Sequence, residues 1–369
     1  MRLLQKECGK CLRHPFLWIV CITFGLFQFL SIYTYVGNAG MRKELRQMHV
    51  AVTDEETASP EYESAYADYK KTYGGMYDTL DMRKILEQKE KKSGYEPQGV
   101  WGSWIVRNYD RLQKRVEQIR KTGEGIYDFY PGSWYKLHST LYGKLWKKLI
   151  LQTAVLMILS MLYLMDYERI YKTQDLVLAT TTGKKMMEKK MLAGTLCGLF
   201  YAGLLTVFTL LVFFAAVPFQ NLWHVPVAAC MVAEPRLQMM YPFVTFWRLE
   251  QWRYFLLALV VLVGLLGIIA AVTAAVQLFL QNSYFSFAVL GLLFMGAYLL
   301  AYVQMGNVWD LIREFFNPTV LYATSGGWFM ENDLCLSFAG NEFAVLFCSG
   351  TAAVCLMAVG KRRYHRLEV

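Results

Sequence analysis

Hydrophobic residues in this chain fall into six long uninterrupted runs, Phe16–Val36, Leu149–Met165, Met191–Phe219, Tyr254–Leu280, Phe285–Val303 and Phe343–Gly360, with no Asp, Glu, Lys or Arg in any of them. A hydrocarbon layer about 30 Å thick is crossed by roughly 20 apolar residues of helix. The second and last runs fall short of that and need flanking residues or local thinning to span. Membrane β-barrels alternate apolar and polar positions over strands of about ten residues, whereas these runs are continuous. The pattern predicts an all-α integral membrane protein with six spans.

Between the first two runs lies a long polar segment, residues 37–148, whose periodicity is helical. Ser59-Pro60 is a helix start, Tyr62, Tyr66, Tyr69 and Tyr73 follow at spacings of four, three and four, and Gly74-Gly75 closes the run. A second helix is expected around Leu80–Lys92, ended by Gly94. A third starts near Ser103, with Ile105, Tyr109, Leu112, Val116 and Ile119 forming one apolar seam up to Gly123. The aromatic cluster of Trp101, Trp104, Tyr127, Tyr130, Trp134, Tyr135 and Trp146 has the composition of an interfacial belt where the chain returns to the bilayer.

Charge orients the bundle. With the N-terminus inside, residues 1–15, 166–190 and 361–369 carry four, six and four basic residues, against three in 220–253 and one in 304–342. The excess of Lys and Arg predicts an N-in, C-in topology, with 37–148 as an extracytoplasmic helical domain, 1–15 as a cytoplasmic tail and 361–369 as a basic one. The net charge of +9 and the mean hydropathy of +0.26 then describe a membrane topology and not a nucleic-acid surface. The first run exceeds the usual secretory core of about 7–15 residues, so it is expected to stay as a span.

Motifs for chemistry are few. The chain has no GxxxxGK[ST] phosphate loop, no HExxH and no GxSxG, so no catalytic residue is assigned. Cys8-Gly9-Lys10-Cys11 is half of a zinc tetrahedron at most, and no metal site is expected. Cys230 and Cys335 fall in the two shorter outward loops, where pairing is open. Gln28, Gln152 and Gln277 are expected to hydrogen-bond between helices. Residues 304–342 contain an amphipathic stretch, Val308–Phe316, broken by Asn317-Pro318, which predicts a re-entrant or interfacial segment before the last span. Thr324-Ser325-Gly326-Gly327 is expected to be a turn.

The most informative stretch is Asp166–Lys190, between the second and third runs. Its order is acidic (Asp166, Glu168, Asp175), apolar (Leu176–Leu178), threonine-rich (Thr180-Thr181-Thr182), then basic (Gly183-Lys184-Lys185, Lys189, Lys190). That order, the six spans, the insertion after the first and the broken segment at Asn317-Pro318 together resemble the membrane subunit of a type-two ATP-binding-cassette exporter. Where that family often carries Gly after the acidic residue, this chain has Tyr171-Lys172-Thr173. The resemblance implies a multi-pass permease of a bacterial plasma membrane, paired with a second permease copy or a sister permease. It also implies two copies of a separate ATPase subunit that binds ATP and Mg, so this chain would hold no cofactor itself. A coupling helix within 166–190 would dock on that ATPase through Glu168, Leu176, Leu178, Thr180, Thr181, Thr182, Gly183 and Lys184. The uncharged spans fit a hydrophobic or amphipathic cargo such as an antimicrobial peptide, lipid or drug-like molecule. A membrane-anchored sensor or scaffold, whose outer domain binds a ligand, is the competing expectation.

Overall fold

A computed structural model describes residues 2–38, 42, 64, 67–68, 70–71, 74–93, 99–125, 136–173, 183–217, 219, 222–232, 243–303, 309–331 and 338–367. Ten helices carry the architecture: α1 (Arg2–Leu12), α2 (Pro15–Val36), α3 (Met82–Ser93), α4 (Gly99–Thr122), α5 (Lys136–Met165), α6 (Gly183–Ala216), α7 (Gln251–Leu280), α8 (Ser283–Ala301), α9 (Trp309–Phe316) and α10 (Asn341–Leu367). Among the described residues there is no strand, only the isolated bridges Pro226–Glu250 and Thr245–Met330.

Six of these helices, α2, α5, α6, α7, α8 and α10, are long and apolar enough to cross a membrane. The two runs that looked short are parts of longer helices. The helix through Leu149–Met165 begins at Lys136, and the one through Phe343–Gly360 begins at Asn341, giving membrane-length segments of 30 and 24 residues. Charged residues hid this extension in the sequence: Lys144, Lys147 and Lys148 lie within α5, and Glu342 opens α10.

The bundle is built from two helix pairs, α5 with α6 and α7 with α10, joined where α5 packs on α7. The first pair closes through Gly194 and Gly198, four residues apart on α6. A Cβ at either would stand 3.1 Å from the Cα of Met161 or Met157 on α5, so only glycine lets the two backbones approach this closely. Buried Gln28 of α2 donates through Nε2 to Gln152 Oε1 of α5 at 2.7 Å, an interhelical bond of the expected kind.

One end of the bundle, the near face, gathers α1, the connection after α5, the start of α6, the turn at Gln281–Ser283 and the end of α10, where Lys361 pairs with Glu188 at 3.2 Å. The far face carries α3 and α4. Their core of Met82, Leu112, Val116 and Ile119, with Tyr109, packs on Ala228 and Val244 of the segment that precedes α7. Arg115 fastens this contact from within, reaching Glu124 Oε2 at 2.6 Å and the carbonyls of Thr245 and Trp247 at 3.2 Å. The α4 seam falls where its periodicity predicts. The Tyr62–Tyr73 stripe and the aromatics Tyr127, Tyr130, Trp134 and Tyr135 lie outside the described residues. Trp146 is fully buried against Tyr142 instead of lying in an interfacial belt.

The amphipathic segment near the end of the chain is α9, spanning Trp309–Phe316. The break at Asn317-Pro318 is a joint, because Asn317 Oδ1 accepts from the Thr319 backbone N–H and hydroxyl, and helix resumes over Thr319–Ala323. Ser325–Gly327 forms a tight helical turn.

Candidate functional site

The near face holds a buried ion network assembled from three elements. Asp166 ends α5, and a single helical turn, Tyr167–Ile170, follows it and carries Glu168. Glu168 is buried, with Lys190 of α6 against one carboxylate oxygen and Lys10 of α1 3.2 Å from the other. Lys10 also reaches Glu7 Oε1 at 2.6 Å and lies 4.5 Å from the Tyr167 ring centroid. Asp166 Oδ2 accepts from the Ser283 backbone N–H at 3.4 Å, while the Ser283 hydroxyl donates to the Leu162 carbonyl at 3.2 Å. Three carboxylates thus face two ammonium groups, and the hairpin between α7 and α8 is bonded to the same site.

Each member is placed by local structure. Glu7 and Lys10 stand three residues apart on α1 and share a helix face. Lys190 faces inward from the first turns of α6, whereas its neighbour Lys189 is exposed. After Glu168 the chain turns sharply: Thr173 N–H returns to the Glu168 carbonyl at 2.8 Å, and Lys172 adopts φ 55°. That left-handed conformation favours glycine, yet the residue here is lysine.

Of the residues expected to form a docking surface, Glu168 points into the molecule, because two lysines from neighbouring helices neutralise it there. Leu176, Leu178, Thr180, Thr181 and Thr182 lie outside the described residues. Gly183 is the first residue of α6 and Lys184 lies in its first turn. Glu7 and Lys10 lie in the segment expected as a cytoplasmic tail, and Lys190 in the basic end of the 166–190 stretch; none of the three is among the expected site residues. The signal available was the amphipathic spacing of Arg2–Leu12, with an acid and a base three apart.

Thiols line the same interface. Cys197 of α6 lies against the thiols of Cys8 and Cys11. Burial, with the Cys197 contact and Glu7 adding to it, pushes the Cys8 thiol up to about 11, which keeps it protonated and unreactive near neutral pH. Among the described residues no group of three or more His, Cys, Asp or Glu is arranged to hold a metal ion.

A second polar cluster sits towards the far face. His138 and Tyr142 of α5, Tyr254 and Gln251 of α7 and Cys230 are all buried. The rings of His138, Tyr142 and Tyr254 lie 4.6–4.9 Å apart, and Gln251 Nε2 is 3.5 Å from His138 Nδ1 and 3.1 Å from Cys230 Sγ. Cys230 is a free thiol; Cys335 lies outside the described residues. Here α5 widens into a π-helix over Ser139–Leu145, a distortion that recurs at functional positions. Its Gly143 is in backbone contact with Gly326, whose added Cβ would lie 3.0 Å from the Gly143 Cα. Beside it, Glu342 Oε1 accepts from Phe329 N–H at 2.5 Å, which holds Phe329 at φ 61°. Comparison with family models, with characterised proteins and with solved structures finds no match to this chain.

Proposed function

We propose that the chain is the membrane-spanning permease subunit of an ATP-driven transporter, with the near face in the cytoplasm and the 166–190 connection meeting a separate ATPase subunit. The supporting observation is the Glu168–Lys10–Lys190 network, which links α1, the end of α5 and the start of α6, with the α7–α8 hairpin bonded beside it through Asp166. A displacement imposed on residues 174–182 would reach both helix pairs through that hub, the mechanical property a coupling device requires. Chain charge adds a second line of support, since the segments on this face carry the excess of Lys and Arg. The cargo that fits six uncharged apolar runs is hydrophobic or amphipathic.

The test is co-purification. A tagged chain extracted gently should bring down a P-loop ATPase in equal amount, and Leu176→Asp with Leu178→Asp should abolish that association while the chain still inserts. Consistent absence of an ATPase sinks the reading. Retention of the partner by the double variant moves the docking surface elsewhere.

A further inference from the structure

At the far end of α2 an apolar groove of 360 Å³ opens sideways between α2 and α6, lined by Phe29, Ile32, Tyr33, Val36, Val212 and Ala216, with Arg42 at its rim. Its volume falls within the ~300–1,000 Å³ of ligand pockets. Phe29 and Tyr33 are 47% and 64% exposed, so the groove faces outward and is not an internal void. Arg42 lies six residues beyond the end of α2, its backbone N–H bonded to the Asn38 carbonyl at 2.9 Å. The Arg42 guanidinium reaches back over the end of α2, its Nη2 3.4 Å from where a Cβ on Gly37 would stand. Among the described residues, two other cations at this end of α2 are engaged: Lys148 donates to Ser31 Oγ at 3.0 Å and lies 4.8 Å from the Tyr35 ring, and Lys144 lies 5.1 Å from the same ring. Among the described residues no carboxylate pairs with Arg42.

We propose that this groove holds one anionic phospholipid, its acyl chain along the α2–α6 seam and its phosphate on Arg42. A helix that ends at Val36 puts the apolar lining at acyl-chain depth and Arg42 at headgroup level. Guanidinium binds phosphate oxygens through paired, charge-assisted hydrogen bonds. The chemistry therefore matches a molecule with an apolar chain and one negative headgroup. The inference needs only that the six helices lie in a membrane and stands apart from the permease reading.

The experiment reconstitutes the full chain into phosphatidylcholine nanodiscs containing phosphatidylglycerol as the minor lipid, releases it in mild detergent, and counts retained lipids by native mass spectrometry. The wild type should keep one phosphatidylglycerol. Arg42→Glu should lower that retention about tenfold, the scale of one lost charge-assisted hydrogen bond, and leave phosphatidylcholine unchanged. Ala216→Trp, which fills the groove, should remove the bound lipid. Arg42 is exposed, so its variant should melt like the wild type and the comparison stays interpretable. Equal phosphatidylglycerol retention in Arg42→Glu overturns the proposal, as does loss of both lipids together. Displacement by soluble glycerol phosphate would mean a free-anion site. A dimer that dissociates on Ala216→Trp, with lipid retention unchanged, would give the groove to a second copy of the chain.

Discussion

The buried clusters around Glu168 and around His138 are built on opposite principles. At the near face, the carboxyl groups of Glu7, Asp166 and Glu168 gather around the amines of Lys10 and Lys190, and the Glu168 ion pairs join three separate elements. Towards the far face, an imidazole, two phenols, an amide and a thiol interlock, and the one carboxylate bonded there, Glu342, is held by a backbone N–H. No ion pair involves Glu342 among the described residues. A charge network is stable only while its partners stay together, since each ion left alone in a buried site is costly. A neutral hydrogen bond left unmade in a buried site costs about 1–3 kcal/mol, less than an orphaned ion. The Glu168 cluster is therefore an all-or-none arrangement, and the His138–Gln251 cluster is suited to holding the turn at Phe329 still.

The largest expected effect tests that contrast directly. Glu168→Ala removes the shared partner of two lysines and should cost about 3–5 kcal/mol, read as a fall in the thermal midpoint in detergent. Adding Lys190→Met should restore most of the loss, because the orphaned ammonium is then gone. The same cycle on His138 and Gln251 should give a coupling near 1 kcal/mol. Equal couplings at both ends would erase the distinction between a switchable and a fixed cluster.

Next in size is Phe329→Gly. Phe329 lies at φ 61° with its ring 5.8–5.9 Å from those of Trp247, Tyr254 and Phe343. Losing the buried ring costs about 3–5 kcal/mol, and relief of the left-handed backbone returns about 1–2 kcal/mol. With the roughly 0.5–1 kcal/mol cost of glycine's freedom in the unfolded chain, the net expectation is destabilisation of roughly 3 kcal/mol, measured in the same melt. A neutral result would mean that the ring contributes little and the turn is held by Glu342 alone.

How much of this was legible in the sequence differs between the two ends. All six membrane-length helices follow from the length of their apolar runs and the α4 seam from its periodicity, because burial in lipid or in a helix pair selects residue type along the chain. The near-face network was half visible. The order from Asp166 to Lys190 marked the segment, but that Glu168 and Lys190 face each other depends on the crossing of α5 and α6 at Gly194 and Gly198, which composition does not encode. Lys10 was hidden because a helix of eleven residues before a span has the composition of a basic tail. The far cluster was invisible. His138 precedes the apolar run, Gln251 and Tyr254 open the next helix, and Glu342 lies in a loop by hydropathy, so only the tertiary fold brings them together.

The smallest effect concerns the other left-handed residue. Lys172, at φ 55°, is exposed and lies in the connection leaving Glu168. Its side chain contributes no buried ring, so Lys172→Gly removes a left-handed penalty of about 1–2 kcal/mol. The greater freedom of glycine in the unfolded chain takes back roughly 0.5–1 kcal/mol. The variant should therefore be more stable, by less than about 1 kcal/mol, with a small rise in the thermal midpoint. Phe329→Gly and Lys172→Gly place the same residue in the same backbone region at opposite ends of the molecule, and the predicted signs are opposite. Two variants of like sign would mean that backbone strain and ring packing do not divide between the two faces in this way. A destabilised Lys172→Gly would further show that the lysine side chain itself holds the turn after Glu168, bringing a further cation into the near-face network.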